Sequence, residues 1–350
     1  MSSPLQLRVG GKWLNEVAPW GDLDYSTRWP LGCHEASWAM SFRSTARRNV
    51  LTAGQSVEIY AGSTRIWLGT LGQPDWSEGT FTADGLYSFA SGPAISPAGL
   101  ATSRADIAID GAIGDGVPWL GRDNVPSQGA TGVTATTDGT NTISTILDDV
   151  ATEAGMRWAI FADGIVRMAA DPSTPTWRLA PGVIDFGYDD QSFATILKVR
   201  YLDSTTSTYT TLTVDDAAAV AKFGPVREAL DLTTYGPLSA ARATAKAQGI
   251  LTLGRSRLGW TNSVEVGPWH LTTLGGIPAD LSMVQAGQSV RVPVWDEFAA
   301  KPYRDLVLGE VKYAAGASTV TLAPVDTQPQ TLADVTEAVM TRARKKPVTA

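Results

Sequence analysis

Apolar and polar residues alternate with a period of two along much of the chain. Leu5, Leu7 and Val9 alternate with Gln6 and Arg8 ahead of Gly10-Gly11, which predicts a strand and a hairpin turn. Ala36, Trp38, Met40 and Phe42 keep that period while Ser41 and Arg43 fall off it, so Ala36 to Phe42 reads as a strand, not as one stripe of a helix. Phe81 to Phe89, with Asp84-Gly85 as its turn, closes a first β unit near residue 95, and SGPAISPAG after it has linker composition. Residues 101–140 are rich in Gly, Thr and Asp, and read as one or two strands within long loops.

The period changes at Thr142. Ile143, Ile146, Leu147, Val150 and Ala154 recur at helical spacing between a Thr142 cap and Gly155, which predicts a helix over 142–154. MRWAIF and IVRMAA, on either side of Asp163-Gly164, predict a hairpin over 156–170. Further on, FATILKVRYL (193–202) and the Thr-rich STTSTYTTLTV read as an antiparallel pair. Asp215 then caps a short helix that Gly224 and Pro225 stop. PLSAARATAKAQGILTL (237–253) is an alanine-rich helix with proline near its first turn, Trp260 to Val266 is a strand, and TLADVTEAVM a short terminal helix.

One phrase occurs twice. Ala53-Gly54-Gln55-Ser56-Val57 and Ala286-Gly287-Gln288-Ser289-Val290 both read AGQSV, 233 residues apart. Each is followed by a strand, a loop, an apolar strand carrying a glycine (Trp67-Leu68-Gly69; Val307-Leu308-Gly309) and a further hairpin strand. Agreement beyond the phrase itself predicts a duplicated β unit, one in each half of the chain. Pairing Gly69 with Gly309 sets an offset of 240, which makes the intervening loop seven residues longer in the second copy.

At 350 residues with 43% hydrophobic and 18% charged positions, the chain is long enough for about two domains and has globular composition. No run approaches a membrane span and no secretory leader is visible at the start. The single cysteine, Cys33, excludes an internal disulfide, so stability rests on packing. A net charge of −7 argues against a general nucleic-acid binder. Arg342, Arg344, Lys345 and Lys346 concentrate positive charge at the C-terminus, as a candidate docking tail for an acidic partner or a solvated end.

Chemistry is sparse. His34 is adjacent to Cys33, and neighbours on a strand point to opposite faces, which disfavours a dyad. His270 reads as a surface or packed residue. Zinc-spaced clusters, phosphate loops, nucleophile elbows and HExxH are absent from the sequence. Asp106, Asp110 and Asp115 miss calcium-loop spacing, and Asp185, Asp189 and Asp190 are a weak match to a glycosidase pair. No catalytic residue, metal or cofactor is expected. Trp67 and Trp158 sit where indoles are usually core, whereas Trp20, Trp29, Trp76, Trp119 and Trp295 lie near turns; Trp76, Trp119 and Trp295 are the candidate interface aromatics.

The ordered set ISTILDDVATEAGMRWAIFADGIVRMA, FATILKVRYL, VDDAAAVAKFGPVREALDL and PLSAARATAKAQGILTL resembles the central hub proteins of phage tail tips and baseplates, including siphophage minor tail proteins. The resemblance spans residues 30 to 325 and is most specific over 143–292. It implies a mainly β fold with two similar β-barrel domains and smaller α+β modules. The implied division is a tube-like first barrel over 1–97, an α+β insertion over 98–185, a strand pair and helices over 186–258, a second barrel over 259–327, and a short helix with the basic tail over 328–350. It further implies a homotrimer whose six barrels form a ring, joining distal tail and tube proteins on one side to spike, fibre and other minor tail proteins on the other. Such a virion protein, assembled in the bacterial cytoplasm, would pass DNA without binding it specifically, which an acidic lumen would favour. The sequence stops about 25 residues after the second barrel unit, so no appended enzyme is expected. Competing readings are a distal-tail or adaptor ring, a glycan-binding β protein using Trp76 or Trp119, and an enzyme using His270 or the Asp189-Asp190 pair.

Overall fold

A computed structural model describes residues 4–41, 51–91, 121–123, 143–181, 183, 194–254, 262–293, 303–314 and 319–325. The fold is mainly β. Strands β1 (Leu5–Val9) and β2 (Lys12–Trp13) flank the Gly10-Gly11 turn, and the four-residue helix α1 (Leu14–Val17) follows. Next come β3 (Trp20–Arg28) and β4 (Leu31–Met40), then the meander β5 (Ser56–Ala61), β6 (Thr64–Leu71) and β7 (Thr80–Gly85).

Asp84-Gly85 is not the hairpin turn that the dipeptide predicts, because both residues lie inside β7. Gly85 is needed for a close approach of chains: a Cβ there would stand 1.6 Å from the Cys33 carbonyl oxygen on β4.

The middle of the chain adds β8 (Gly121–Asp123), helix α2 (Ile143–Glu153), and the hairpin β9 (Arg157–Ile160) and β10 (Ile165–Ala169), then β11 (Trp177–Leu179). A separate four-stranded sheet holds β12 (Ile196–Asp203), β13 (Tyr209–Asp215), β14 (Arg227–Asp231) and β15 (Pro237–Leu238). Helix α3 (Ala217–Phe223) is capped by Asp216, which accepts from the Ala219 N–H at 3.1 Å; Asp215 instead ends β13. Helix α4 (Ala240–Gly254) begins after Pro237, which sits in β15 rather than in the first turn, and Ser239 accepts from the Arg242 N–H at 3.3 Å. α4 crosses α2 so closely that a Cβ on Gly249 would lie 1.7 Å from the Thr152 carbonyl oxygen. The Arg242–Glu153 pair, 3.0 Å apart, bridges the two helices.

The second half closes with β16 (Val264–Val266), β17 (Leu271–Thr273), β18 (Ser289–Pro293), β19 (Tyr303–Ala314) and β20 (Val320–Pro324). Sixteen strands join into one sheet whose main path runs β17-β11-β18-β19-β3-β4-β7-β6-β5-β1-β2. Among the described strands no barrel closes; the path has two free ends. Both halves also share one core, from Leu7, Ile59 and Trp67 in the first to Val290, Leu308 and Leu322 in the second. Burying that apolar surface between the halves makes them one packing unit.

Candidate functional site

The two AGQSV turns are built by the same hydrogen bonds. Gly54 and Gly287 take φ of 84° and 80°, the left-handed region where glycine has no steric cost. Gly54 N–H donates to Leu71 O at 2.8 Å and Gly287 N–H to Leu308 O at 2.8 Å. The return bonds, Leu71 N–H to Gln55 O and Leu308 N–H to Gln288 O, are 2.8 and 2.9 Å. Each glutamine folds its side chain back over the turn: Gln55 Oε1 accepts from Thr52 N–H at 3.0 Å, and Gln288 Oε1 from Gln285 N–H at 2.9 Å. Ser56 and Ser289 then open β5 and β18.

These bonds correct the alignment of the two copies. Leu71 corresponds to Leu308, an offset of 237, so the intervening loop is four residues longer and not seven, and Gly309 matches Gly72 rather than Gly69.

The copies differ in what packs on them. A Cβ on Gly54 would meet nothing within 4 Å, whereas one on Gly287 would stand 2.9 Å from the Trp29 ring. Gln288 Oε1 also accepts from the Trp177 indole at 2.7 Å. The turns are joints, and the second is buried against the seam between the halves.

That seam is the β3–β4 hairpin, with β3 antiparallel to β19 and β4 antiparallel to β7. Arg28 donates to Glu310 at 2.7 Å across it, both side chains largely buried. Ala286 N–H donates to Thr27 Oγ1 at 2.9 Å, Gln285 Nε2 to Ile66 O at 3.2 Å, and Tyr25 stacks on Tyr313 at 5.0 Å. Trp29 is a seam residue rather than a contact for other proteins: it is buried, stacks on Phe161, and donates its indole N–H to Asp171 at 2.7 Å.

One face of the sheet forms a groove of about 720 Å³ across the seam, lined by Asp24, Glu35, Asp84, Glu265 and Lys312 with serines and threonines between them. Strand register gathers these distant positions: Glu35 pairs with Asp84, Asp24 with Ser37, Lys312 with both Ser26 and Thr321, and Thr321 with Glu265. Lys312 lies 3.4 Å from Glu310, so its charge is shared with that carboxylate. The four groove carboxylates give the face a negative field, and burial raises the Asp84 carboxyl above its ordinary value.

Cys33 and His34, side by side on β4, are both buried. Cys33 is fully buried and burial pushes its thiol up to about 12, which removes the nucleophilic thiolate. His34 stacks on Tyr87; burial first, then Arg28 and Lys312, lowers it to about 3, so it is neutral. His270 is exposed and its Nδ1 accepts from Gly267 N–H at 3.1 Å. Among the described residues no group of three His, Cys, Asp or Glu is arranged to hold a metal, and no helix is long and apolar enough to cross a membrane.

Of the candidate interface aromatics, Trp76 is half-buried and stands edge-on to Phe81 at 5.2 Å. Trp119, Trp295, the aspartates at 106, 110, 115, 185, 189 and 190, and the tail residues Arg342, Arg344, Lys345 and Lys346 lie outside the described residues. Sequence reasoning missed the acidic groove and the exposed Trp269, whose only local sign is the preceding Gly267-Pro268 turn.

The fold is that of solved phage and prophage tail proteins. A tail protein from Neisseria meningitidis MC58 superposes with a TM-score of 0.60 at 16% identity, covering 92% of this chain and 96% of that one. The 43 kDa tail protein of prophage MuSo2 from Shewanella oneidensis gives 0.59 at 14% identity over 92% and 98% of the two chains. Prophage tail protein gp18 from Listeria monocytogenes gives 0.57 at 10% identity over 98% and 99%. No protein family and no curated protein matches the chain by sequence.

Proposed function

We propose that this chain is a structural protein of a phage tail, the central hub of the tail tip, acting without catalysis as part of a conduit for DNA. The observation that carries the reading is near full-length agreement of fold with three tail proteins, at 92% to 98% of this chain. The duplicated turn supports the hub role in particular. Two equivalent units in each of three chains match six-fold tube symmetry on one side and three-fold tip symmetry on the other.

In this reading the acidic groove faces the hole. Asp24, Glu35, Asp84 and Glu265 repel a phosphodiester backbone, so DNA slides past without adhering. Tube and distal-tail proteins contact one side of the ring and spike or fibre proteins the other, with the basic tail as a docking segment.

The test is negative-stain imaging of the full chain with class averaging. Rings of three-fold symmetry, six-lobed in outline around a hole, are the expected result. Six-fold rings built from six chains would overturn the hub in favour of a distal-tail or adaptor ring.

A further inference from the structure

The groove across the seam holds a like-charge pair that the sheet itself does not relieve. Glu35 on β4 stands directly opposite Asp84 on β7, so both carboxylates share one face. Like charges in that position destabilise a sheet, and a cation laid over them turns the repulsion into attraction. Asp24 on β3 and Glu265 on β16 continue the negative lining. Lys312 lies among them, but at 3.4 Å from Glu310, which is not part of the lining, its charge is already shared. Four carboxylates against one ammonium leave the groove acidic, and about 720 Å³ is room for a short extended segment of chain rather than a folded domain.

The chain carries its own complement. Residues 338–350, AVMTRARKKPVTA, hold Arg342, Arg344, Lys345 and Lys346 and contain no Asp or Glu. Position puts this cluster within reach. Thr321 of β20 lines the groove, and Val325 follows it by four residues, about 13 Å along the strand. The far carboxylate, Asp84 on β7, is four strand spacings from β20 along the order β20-β19-β3-β4-β7, about 19 Å. The seventeen residues from Val325 to Arg342 span about 21–25 Å r.m.s. as a flexible chain.

A tether whose length matches the distance it must cover holds its end over the site at an effective concentration in the millimolar range. That matters because ion pairs at a surface are individually weak, so a free basic peptide would bind the groove poorly. With an intrinsic dissociation constant of about 0.1 mM, a tethered cluster would be free only about a tenth of the time.

We propose that the basic segment Arg342–Lys346 docks in the acidic groove of its own chain. Groove and tail both belong to one chain, so the docking does not depend on the hub reading. Its consequence deepens that reading: a neighbouring tail protein that takes the basic segment leaves Asp24, Glu35, Asp84 and Glu265 bare toward the hole.

The experiment treats the full wild-type chain with a carbodiimide, which joins lysine amines to carboxylates in contact, and maps the products by mass spectrometry. Links from Lys345 or Lys346 to the groove carboxylates are expected, with yields that fall steeply at 1 M salt, where the screening length is about 3 Å. In parallel, trypsin cleavage after Arg342 and Arg344 should be about tenfold slower in wild type than in Asp24→Asn/Glu35→Gln/Asp84→Asn/Glu265→Gln, with circular dichroism showing that the variant is folded. Wild type without groove links, or equal cleavage rates in wild type and folded variant, would overturn the proposal. In a mixture of ¹⁵N-labelled and unlabelled chains, links joining heavy to light would move the tail to the groove of a second copy and overturn docking within the chain. None of these readouts requires a ring, so the hub reading stands or falls separately by imaging.

Discussion

Replacing the same glycine by alanine in the two copies of the turn separates backbone strain from packing, because the copies share conformation and differ in surroundings. Gly54→Ala places a side chain at φ 84° in open space. The left-handed conformation costs an L-residue about 1–2 kcal/mol, partly offset by about 0.4–1 kcal/mol from the stiffer unfolded chain, for a net loss near 1 kcal/mol. Gly287→Ala carries the same strain at φ 80°, and its Cβ also meets Trp29 ring atoms at 2.9, 3.0 and 3.4 Å. The ring has little freedom to yield, since its N–H is held by Asp171 at 2.7 Å and Phe161 stacks on it. Overpacking of that kind costs a further ~1–3 kcal/mol, for a total of about 2–4 kcal/mol.

The assay is urea unfolding followed by tryptophan fluorescence and by circular dichroism, with coincident transitions required before free energies are compared. In a Trp29→Ala background the cost of Gly287→Ala should fall to that of Gly54→Ala. Equal costs for the two glycines in the wild-type background would refute the packing argument. No cost at Gly54 would refute the shared turn.

Two further perturbations address the seam. Glu310→Ala leaves the Arg28 guanidinium largely buried without its 2.7 Å partner and should cost about 3–5 kcal/mol in the same urea assay, while Arg28→Met/Glu310→Leu should recover most of it; a single-variant loss below about 1 kcal/mol would show the pair to be solvated. His34 is held at about 3 in the fold against about 6.5 when unfolded, so the unfolded chain binds the extra proton between those values. Its contribution to stability is therefore full above pH 6.5 and is lost as pH falls toward 3. His34→Phe should flatten the fall in urea midpoint over that window, and an unchanged slope would place the dependence on the carboxylates.

Local structure was legible wherever one short stretch decides its own conformation. The hairpin at Gly10-Gly11, the helix before Gly155 and the hairpin at Asp163-Gly164 all follow from period and turn chemistry. Errors arose where distant chain decides. Asp84-Gly85 has the composition of a turn, but β4 requires that glycine for close approach. The Gly69–Gly309 match follows letters, whereas the turn hydrogen bonds that align Leu71 with Leu308 depend on pairing across each meander. Trp29 lies beside a proline near a turn, and is buried by Phe161 and Gly287, far away in sequence. The acidic groove was illegible for the same reason: Asp24, Glu35, Asp84 and Glu265 have no common spacing, and only the β7-β4-β3-β19-β20-β16 register brings them together.

The two AGQSV stretches share one turn geometry and differ in what surrounds it. A turn that only had to reverse the chain would tolerate any neighbour, and the first copy is such a case, with open space over Gly54. The second must also hold the halves in register, because β18 and β19 connect through β3 to the first half. Gly287 therefore receives Trp29, and Ala286 and Gln285 bond directly to Thr27 and Ile66. Each of these contacts reaches a residue of the first half, whereas Gln288 takes its second donor from Trp177 on β11, the parallel neighbour of β18 itself. The buried Arg28–Glu310 pair, 2.7 Å apart and carried by β3 and β19, fastens that same seam between the halves.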